Sequence, residues 1–363
     1  DGGFWLATRH EDVREISCAR DGWSSEENTA IVKFDGATVD RDGREVQRNM
    51  LLNMDGPHHA KVRGIVSRGV FTPRGVAKIE DTLRARANQI CTEAKSKGQG
   101  NFVDDIACEL PLQALADLMG FPQSDRKQIF DWSNQMMAYD DPDFDVDPAQ
   151  AAAEILGYAA EMGEDRKRNP REDIVTRLVA AADEEVVSSE EFAFFVLLLA
   201  VAGNETTRNA ISHGMNAFFN NPDQWELYKK ERPDTTADEI VRWGTPVNSF
   251  QRTAKRDTQV GGVDIKEGER VGMFYASANF DEEVFDDPFS FNILRDPNPH
   301  VGFGGNGSHF CVGSNLARME INLMFNAIAD IVPDITRLEE PKRLRHGWIN
   351  GVKEMRVDYG TRP

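Results

Sequence analysis

Residues 301–318 read VGFGGNGSHFCVGSNLAR, a stretch in which five glycines surround Cys311 and which runs directly into a helical pattern. Glycine permits positive φ angles and lets a cofactor approach the backbone closely. A helix that begins just after Cys311 places its positive dipole end beside the sulfur and favours the thiolate. The stretch is therefore typical of a metal-ligating thiolate, but also of a nucleophile activated by His309 or of an inert cysteine buried in a glycine-rich loop.

Composition narrows the class of protein. The chain has 363 residues, of which 40% are hydrophobic, and its 61 acidic and 42 basic residues give a net charge of −19. This charge repels nucleic-acid backbones, so we expect no nucleic-acid partner. Four irregularly spaced cysteines favour a reducing cytoplasm over a disulfide framework. The longest apolar run, residues 192–203, is too short to cross a bilayer, so we expect no transmembrane anchor.

The periodicity predicts mostly helices, followed by a small β part. Residues 72–100 read as one helix with a proline in its first turn and a glycine stop, and residues 140–148 read as an exposed loop. Short β segments follow between 250 and 275, and a last long helix begins at Ser314. We expect one mixed domain over 1–363. Its opening strand-and-helix pattern suggests that the chain starts inside that domain.

Residues 200–209, AVAGNETTRN, place polar groups inside a long apolar helix. An acid and two threonines in a buried helix are costly unless they have partners. Glu205, Thr206 and Thr207 therefore predict either a polar notch that admits water or a small ligand, or the point at which the helix reaches solvent.

Two further pairs share a helical face. Glu239 and Arg242 stand three residues apart, and His59 and Arg63 stand four apart. The first pair could be an ordinary solvated ion pair. The second could bind an anionic group such as a carboxylate, or simply face solvent.

In this order, the buried acid–threonine helix, the Glu-x-x-Arg pair and the glycine-rich cysteine loop resemble the cytochrome P450 family of haem-thiolate monooxygenases. The resemblance covers nearly the whole chain. It implies a mainly α fold with a small β part, a triangular prism of helices with haem b between the long central helix and the cysteine loop. It also implies that Cys311 is the proximal ligand of the haem iron.

The resemblance assigns roles to further residues. Thr206 would hold dioxygen and Glu205 would assist proton delivery, in a groove shared with Ala202 and Gly203. The resemblance also implies a buried charge triad formed by Glu239, Arg242 and Arg295. The residues that would contact the haem propionates are His59, Arg63, Arg252 and His309. The other loop residues at the haem would be Phe303 and Gly313. Phe303 stands eight residues before Cys311, where the family usually has seven, so the loop has one extra residue.

The long loop and the segments around it resemble the actinobacterial steroid side-chain hydroxylases. Those enzymes oxidise a terminal methyl of the side chain of cholesterol or cholest-4-en-3-one to the alcohol, and often on to the acid. ω-Hydroxylases of methyl-branched lipids share much of the pattern. A haem-binding sensor or a cysteine hydrolase would be a different class, but the sensor would not need the acid–threonine pair and the hydrolase would bind no haem.

A hydroxylase of this kind needs a hydrophobic substrate, O2 and electrons. Val201, Ala202 and Trp348 are the substrate-contact candidates, with Phe34 and Phe250 as further loop aromatics. Nothing in the sequence resembles a flavin, nicotinamide or iron–sulfur site, so the electrons must come from a separate partner, which we expect to be a ferredoxin supplied by its reductase. Basic residues near the cysteine side could form the ferredoxin-docking patch: Lys61, Arg63, Arg68, Arg74 and Arg318.

Overall fold

Most of the chain is helical in the computed structural model, which describes residues 3–19, 21–27, 29–30 and 47–360. Phe34 lies outside the described residues. The α-helices are α1 His10–Cys18, α2 Gly56–Ser67, α3 Pro73–Ala77, α4 Glu80–Lys97, α5 Glu109–Met119, α6 Arg126–Met137, α7 Pro148–Arg168, α8 Ile174–Asp183, α9 Ser189–Asn220, α10 Pro222–Glu231, α11 Thr236–Gly244, α12 Tyr275–Ala278 and α13 Ser314–Ile331. A π-helical turn, Val103–Ala107, precedes α5.

The strands are short and fall mainly in the last third of the chain. They are β1 Trp5–Ala7, β2 Trp23–Ser24, β3 Gln99–Asn101, β4 Ser249–Ala254, β5 Thr258–Val260, β6 Val263–Ile265, β7 Arg270–Phe274, β8 Thr336–Arg337, β9 Lys342–Arg343, β10 Val352–Glu354 and β11 Arg356–Asp358. The largest sheet has the order β1-β7-β4-β2, in which β1 runs parallel to β7 and the other pairs are antiparallel.

Helix α9 links the two largest hydrophobic clusters. A capping box between Ser188 and Glu191 fixes its start. Its first half, with Phe195 and Leu197, packs among α5 to α8, and its second half, with Ile211 and Phe218, packs against α10, α11 and α13. The middle of the helix therefore lies where the two clusters meet.

The sequence predictions for these elements are largely confirmed. Strand β1 feeds helix α1, the β segments form β4 to β7, and the last long helix begins at Ser314. The helix predicted from Pro73 to its glycine stop is interrupted between α3 and α4, although Gly98 does end it with a φ of +76°. Residues 140–147 form the predicted loop, which ends where Pro148 begins α7, but Asp141 in it is buried.

Among the described residues, none of the helices combines the length and the apolar character needed to cross a membrane.

Candidate active site

The cysteine loop is held in place by its own backbone. Cys311 N donates to Phe303 O at 2.9 Å, and Ser314 N donates to Cys311 O at 3.4 Å as α13 begins. Gly313 donates a backbone hydrogen bond to the Cys311 sulfur, which favours the thiolate. A thiolate at this position therefore has a directed donor, and it lies at the N-terminus of α13.

The extra residue of the loop bulges toward helix α1. Gly304, Gly305 and Asn306 all have positive φ, at +95°, +63° and +68°. A Cβ on Gly307 would lie 1.5 Å from Ser17 O, so only glycine fits there. Because the loop absorbs the extra residue away from the sulfur, Phe303 keeps its backbone contact with Cys311.

Cys311 faces an internal space. Its side chain is exposed, yet desolvation by the surrounding protein raises its pKa. A thiol that is accessible but not hydrated opens into a cavity rather than into bulk water. The other two cysteines of the helical core, Cys91 and Cys108, are buried, and burial raises the pKa of Cys91 to about 12. Cys311 is thus distinguished from an inert core cysteine by its access.

Cationic groups crowd the same space, where the Asp55 carboxylate acts on Arg252 through its charge without forming an ion pair. Arg63 donates to Phe310 O, and Arg252 on β4 is buried with a hydrogen bond to Gln251 O at 2.7 Å. Among the described residues neither arginine forms an ion pair. The rings of His59 and His309 lie 4.2 Å apart beside them. Burial and the two arginines lower the pKa of His59 to about 4 and that of His309 to about 2.

A buried guanidinium at Arg252 and a half-buried one at Arg63, neither of them in an ion pair, are costly, so this cluster favours an anionic ligand. A neutral histidine can still donate one hydrogen bond; His59 can donate to such a ligand, whereas His309 donates to the Met54 backbone. The cluster joins residues from α2, β4 and the cysteine loop, which are far apart in sequence.

The middle of α9 carries the polar notch. Ala202 and Gly203 are exposed although the residues on either side are buried, so this face of the helix borders a cavity. Thr206 is partly exposed on the same face, and its Oγ1 donates to Ala202 O at 2.8 Å. The structure therefore brings these three predicted groove residues together.

Glu205 lies on the neighbouring, buried face. Its Oε1 accepts hydrogen bonds from Arg208 and from Asn209 Nδ2, the latter at 3.2 Å. Oε2 is buried without a partner among the described residues. Arg208 also donates to Asn134 Oδ1 on α6 at 2.7 Å. The carboxylate borders a cavity of about 170 Å³ that Asp104, Lys353 and Arg208 also line.

The Glu-x-x-Arg pair is buried and fully bonded. Arg242 Nε and Nη2 each lie 2.8 Å from a Glu239 oxygen, and both residues are 0% exposed. Arg295 Nε lies 3.2 Å from Glu239 Oε2, and Asn298 Nδ2 donates to the same oxygen at 3.1 Å. The three predicted triad residues therefore meet. Such a pair tolerates burial because every charge has a partner.

The substrate candidates belong to a small apolar cluster. Val201, Met137 and Ile349 are its buried members, and Trp348 packs against them. Trp348 also contacts Phe250, with ring centroids 5.7 Å apart. Since Val201 adjoins the exposed Ala202, this cluster forms an apolar wall near the groove.

Some functional residues were not predicted from the sequence. Arg208 and Asn209 hold Glu205, and the signal for Arg208 was its i,i+3 spacing from Glu205 on a helix that reads as buried. Asn298 completes the charge triad from a loop, and no local pattern points to it.

The comparisons with known proteins identify this arrangement. The family model for cytochrome P450 matches residues 234–329, which contain the charge triad and the cysteine loop. A steroid C26-monooxygenase of Rhodococcus jostii is 60% identical over 362 residues, covering 99% of this chain and 76% of that protein. The chain belongs to the cytochrome P450 family.

Two further cytochromes P450 extend the comparison. A methyl-branched lipid omega-hydroxylase of Mycobacterium bovis is 40% identical over 368 residues, covering 98% of this chain and 84% of that protein. A Mycobacterium marinum cytochrome P450 solved in complex with pseudoionone superposes with a TM-score of 0.91 at 35% identity, covering 98% of this chain and 86% of that one. The predicted fold class and the monooxygenase class are thereby confirmed.

Cytochromes P450 are haem-thiolate enzymes, and the residues of this chain fit that cofactor. An accessible thiol in a desolvated cavity matches an iron ligand. The two unpaired arginines match the two propionates of haem b. The exposed, side-chain-poor face at Ala202 and Gly203 leaves room for a flat macrocycle and a small molecule above it.

Proposed function

We propose that this cytochrome P450 hydroxylates the terminal methyl of a steroid side chain, that of cholesterol or cholest-4-en-3-one, and carries the alcohol on to the acid. One observation carries the proposal. This chain is 60% identical to the Rhodococcus jostii protein named as a steroid C26-monooxygenase and 40% identical to the methyl-branched lipid omega-hydroxylase, each over at least 98% of this chain.

The chemistry of the substrate requires the cofactor. An unactivated methyl has no acidic proton and no leaving group, so side-chain acid–base chemistry cannot attack it. Haem ligated by a thiolate supplies an oxidant strong enough to break such a C–H bond. The chain's contribution is to hold the cofactor, to exclude bulk water and to orient the methyl.

The proposed roles at the cofactor follow from the charges. Cys311 ligates the iron, and the Gly313 backbone donor supports its thiolate. Arg63 and Arg252 neutralise the propionates, and in doing so they gain the counterions that they lack. His59 remains neutral and donates a hydrogen bond to the same groups. His309 is held beside them by its hydrogen bonds to the Met54 backbone and to Ser25 Oγ at 3.2 Å.

Thr206 and Glu205 handle protons in this proposal. The Thr206 hydroxyl donates a hydrogen bond to Ala202 O. Its oxygen can therefore accept a hydrogen bond from a second group at the same time. Glu205 carries an unpaired oxygen beside a cavity that water could fill. Turning Glu205 away from Arg208 would carry protons from that cavity to Thr206.

We infer that the electron donor is an acidic ferredoxin. Lys61, Arg68 and Arg74 are exposed, and among the described residues none of them has an ion-pair partner. They lie beside the cysteine loop, because Asn315 in the first turn of α13 donates to Phe71 O at 3.2 Å. The other two residues of the predicted patch are occupied: Arg63 turns inward, and Arg318 Nε lies 2.8 Å from Asp238 Oδ1.

The test begins with the absorption spectrum of the reduced, carbon-monoxide-bound protein. We expect the strongly red-shifted band of a thiolate-ligated haem, and its loss in Cys311→Ser. Incubation with cholest-4-en-3-one, a surrogate ferredoxin and its reductase should then give the terminal alcohol and acid, identified by mass spectrometry and NMR. Oxidation of a methyl-branched lipid but of no steroid would reject the steroid assignment. Absence of any haem band would reject the monooxygenase.

A further inference from the structure

His346 carries a hydrogen-bond donor whose proton position is determined by its surroundings. Its Nδ1 accepts hydrogen bonds from Trp348 N at 3.2 Å and from Ile349 N at 3.1 Å. Burial lowers the pKa of the ring to about 4, so the imidazole is neutral near pH 7. A neutral imidazole that accepts at Nδ1 must carry its proton at Nε2.

This donor is left without an acceptor. Nε2 is buried and has no hydrogen-bond partner among the described residues. The ring of Tyr139 stands over it edge-on, with centroids 5.0 Å apart and planes at 77°. An aromatic ring is at best a weak acceptor. Buried donors are normally satisfied, so an orphan one calls for a missing ligand.

The donor is at the outer end of the apolar wall. Trp348 packs in the cluster with Val201 on the central helix, and the His346 ring lies 5.5 Å from Trp348 on the way to Tyr139. Tyr139 is 40% exposed, so it marks the surface end. The order outward is therefore groove, apolar wall, imidazole donor and solvent.

The support of this donor is rigid. Leu344 N donates to Gly351 O at 2.9 Å, which closes the turn that carries His346, and Val247 bridges to Ile349. Asp141 accepts from Arg345 N at 2.8 Å and ties the Tyr139 loop to the same turn. A donor on such a turn is preorganised, and it is uncovered when the Tyr139 ring swings outward and its hydroxyl leaves Trp348.

The surroundings select among acceptors. A buried water needs two to four polar partners, whereas a carbonyl oxygen on an apolar molecule needs only one donor. The Tyr139 hydroxyl is already hydrogen-bonded to Trp348. Asp140 is the charged residue whose field reaches the imidazole, and its negative charge disfavours a carboxylate at this site. A neutral oxygen fits best.

We propose that His346 Nε2–H binds a neutral carbonyl or hydroxyl oxygen at the end of the substrate remote from the methyl that is oxidised. The inference rests on the proposed function, in which that group is the oxygen at C3 of the steroid. His346 thereby sets specificity for an elongated apolar molecule with an oxygen at its far end, and it fixes which end enters the groove.

The test compares two ligands that differ only in this oxygen. Cholest-4-en-3-one and cholest-4-ene are titrated into the haem-loaded enzyme, and dissociation constants are read from the substrate-induced shift of the haem absorption band. One hydrogen bond to a buried donor predicts a preference of about tenfold for the ketone.

Two variants separate the donor from the turn. In His346→Asn the side-chain oxygen can replace Nδ1 as acceptor for the turn, but no donor reaches the Nε2 position. We expect the ketone preference to vanish while cholest-4-ene binds as before. His346→Gln places an amide N–H near the Nε2 position and should restore part of the preference.

The outcomes distinguish this inference from the steroid assignment. Equal affinity of the unmodified enzyme for both ligands, or a preference that survives in His346→Asn, overturns the role of His346 and leaves the steroid function intact. Binding of neither ligand overturns both, because the inference is stated for a steroid.

Discussion

At the scale of single residues, Thr206 and Glu205 show how neighbours in sequence acquire different surroundings. Consecutive helical residues point about 100° apart, so Thr206 faces the groove while Glu205 faces Arg208 and the buried cavity. The alcohol is therefore placed to act at the site of oxygen chemistry, and the acid is held one step away from it. Their removal should have different effects.

Thr206→Ala should lower the amount of steroid alcohol formed per reductant consumed severalfold, with haem content and steroid binding near those of the unmodified enzyme. Without the hydroxyl, protons reach the oxygen site without control, so electrons are lost to hydrogen peroxide and water. The measurement is product, peroxide and reductant consumption in one assay. Thr206→Ser keeps the hydroxyl and is the matched control. An unchanged ratio in Thr206→Ala would show that the hydroxyl does not relay protons.

At the scale of elements, α9 and α13 are joined by a buried acid. Glu320 on α13 is 2% exposed and is hydrogen-bonded to Thr207 on α9. Desolvation raises its pKa from 4.5 to about 8, so the folded protein holds a proton there that the unfolded chain releases. The two helices also pack closely: a Cβ on Gly214 of α9 would lie 2.9 Å from Phe325 of α13. We therefore expect the packing of the two haem-bearing helices to depend on pH.

Because the folded state binds this proton more tightly, the stabilising contribution of Glu320 is fully present below pH 4.5 and is lost as the pH rises to about 8. Each unit of pKa difference is worth about 1.4 kcal/mol, so the loss is large. Glu320→Gln keeps a neutral hydrogen-bonding group. In Glu320→Gln the thermal midpoint should therefore fall less between about pH 5 and about pH 8, the range in which the folded and unfolded states differ in protonation.

The comparison is made by calorimetry or circular dichroism on the haem-loaded protein across that pH range. Glu339→Gln, at an exposed position, is the control for the loss of one carboxylate. If Glu320→Gln and the control change the pH profile equally, the buried acid does not couple the two helices.

At the scale of the whole molecule, the positive charge beside the cysteine loop is opposite in sign to the net charge of the chain. The chain carries −19 overall, yet the exposed cations Lys61, Arg68 and Arg74 gather beside the cysteine loop. A net negative charge repels an acidic partner overall, so a local group of exposed cations would direct that partner toward itself. Electron entry near Cys311 would then be favoured by the whole field as well as by local contacts.

Arg68→Glu and Arg74→Glu should each slow reduction by an acidic ferredoxin at low ionic strength, together by about tenfold or more. The difference should shrink as salt is added, because exposed charges are screened. Stopped-flow reduction of the haem across a salt series measures both effects. Lys230→Glu, an exposed reversal on α10, is the control. Equal slowing by the control, or a salt-independent rate, would place docking elsewhere.

Much of this protein could be predicted from the sequence because its strongest signals are local. The glycine-rich stretch before Cys311, the three-residue spacing of Glu239 and Arg242, and the polar insertion in α9 each depend on backbone geometry over a few residues. Their order along the chain resembles the cytochrome P450 family. The break between α3 and α4 escaped prediction, since no breaker residue marks it.

Tertiary structure alone decided the rest. Arg252 reaches the cationic cluster from β4, Asp141 is buried by Lys353 and the turn after β9, and Arg318 is withdrawn from the basic patch by Asp238. No sequence motif points to His346. Its unpaired N–H results from two backbone hydrogen bonds to Nδ1 and from the Tyr139 ring, which another loop places beside it. Sequence spacing specifies which residues share an element, whereas burial, pairing and access arise only when distant elements pack together.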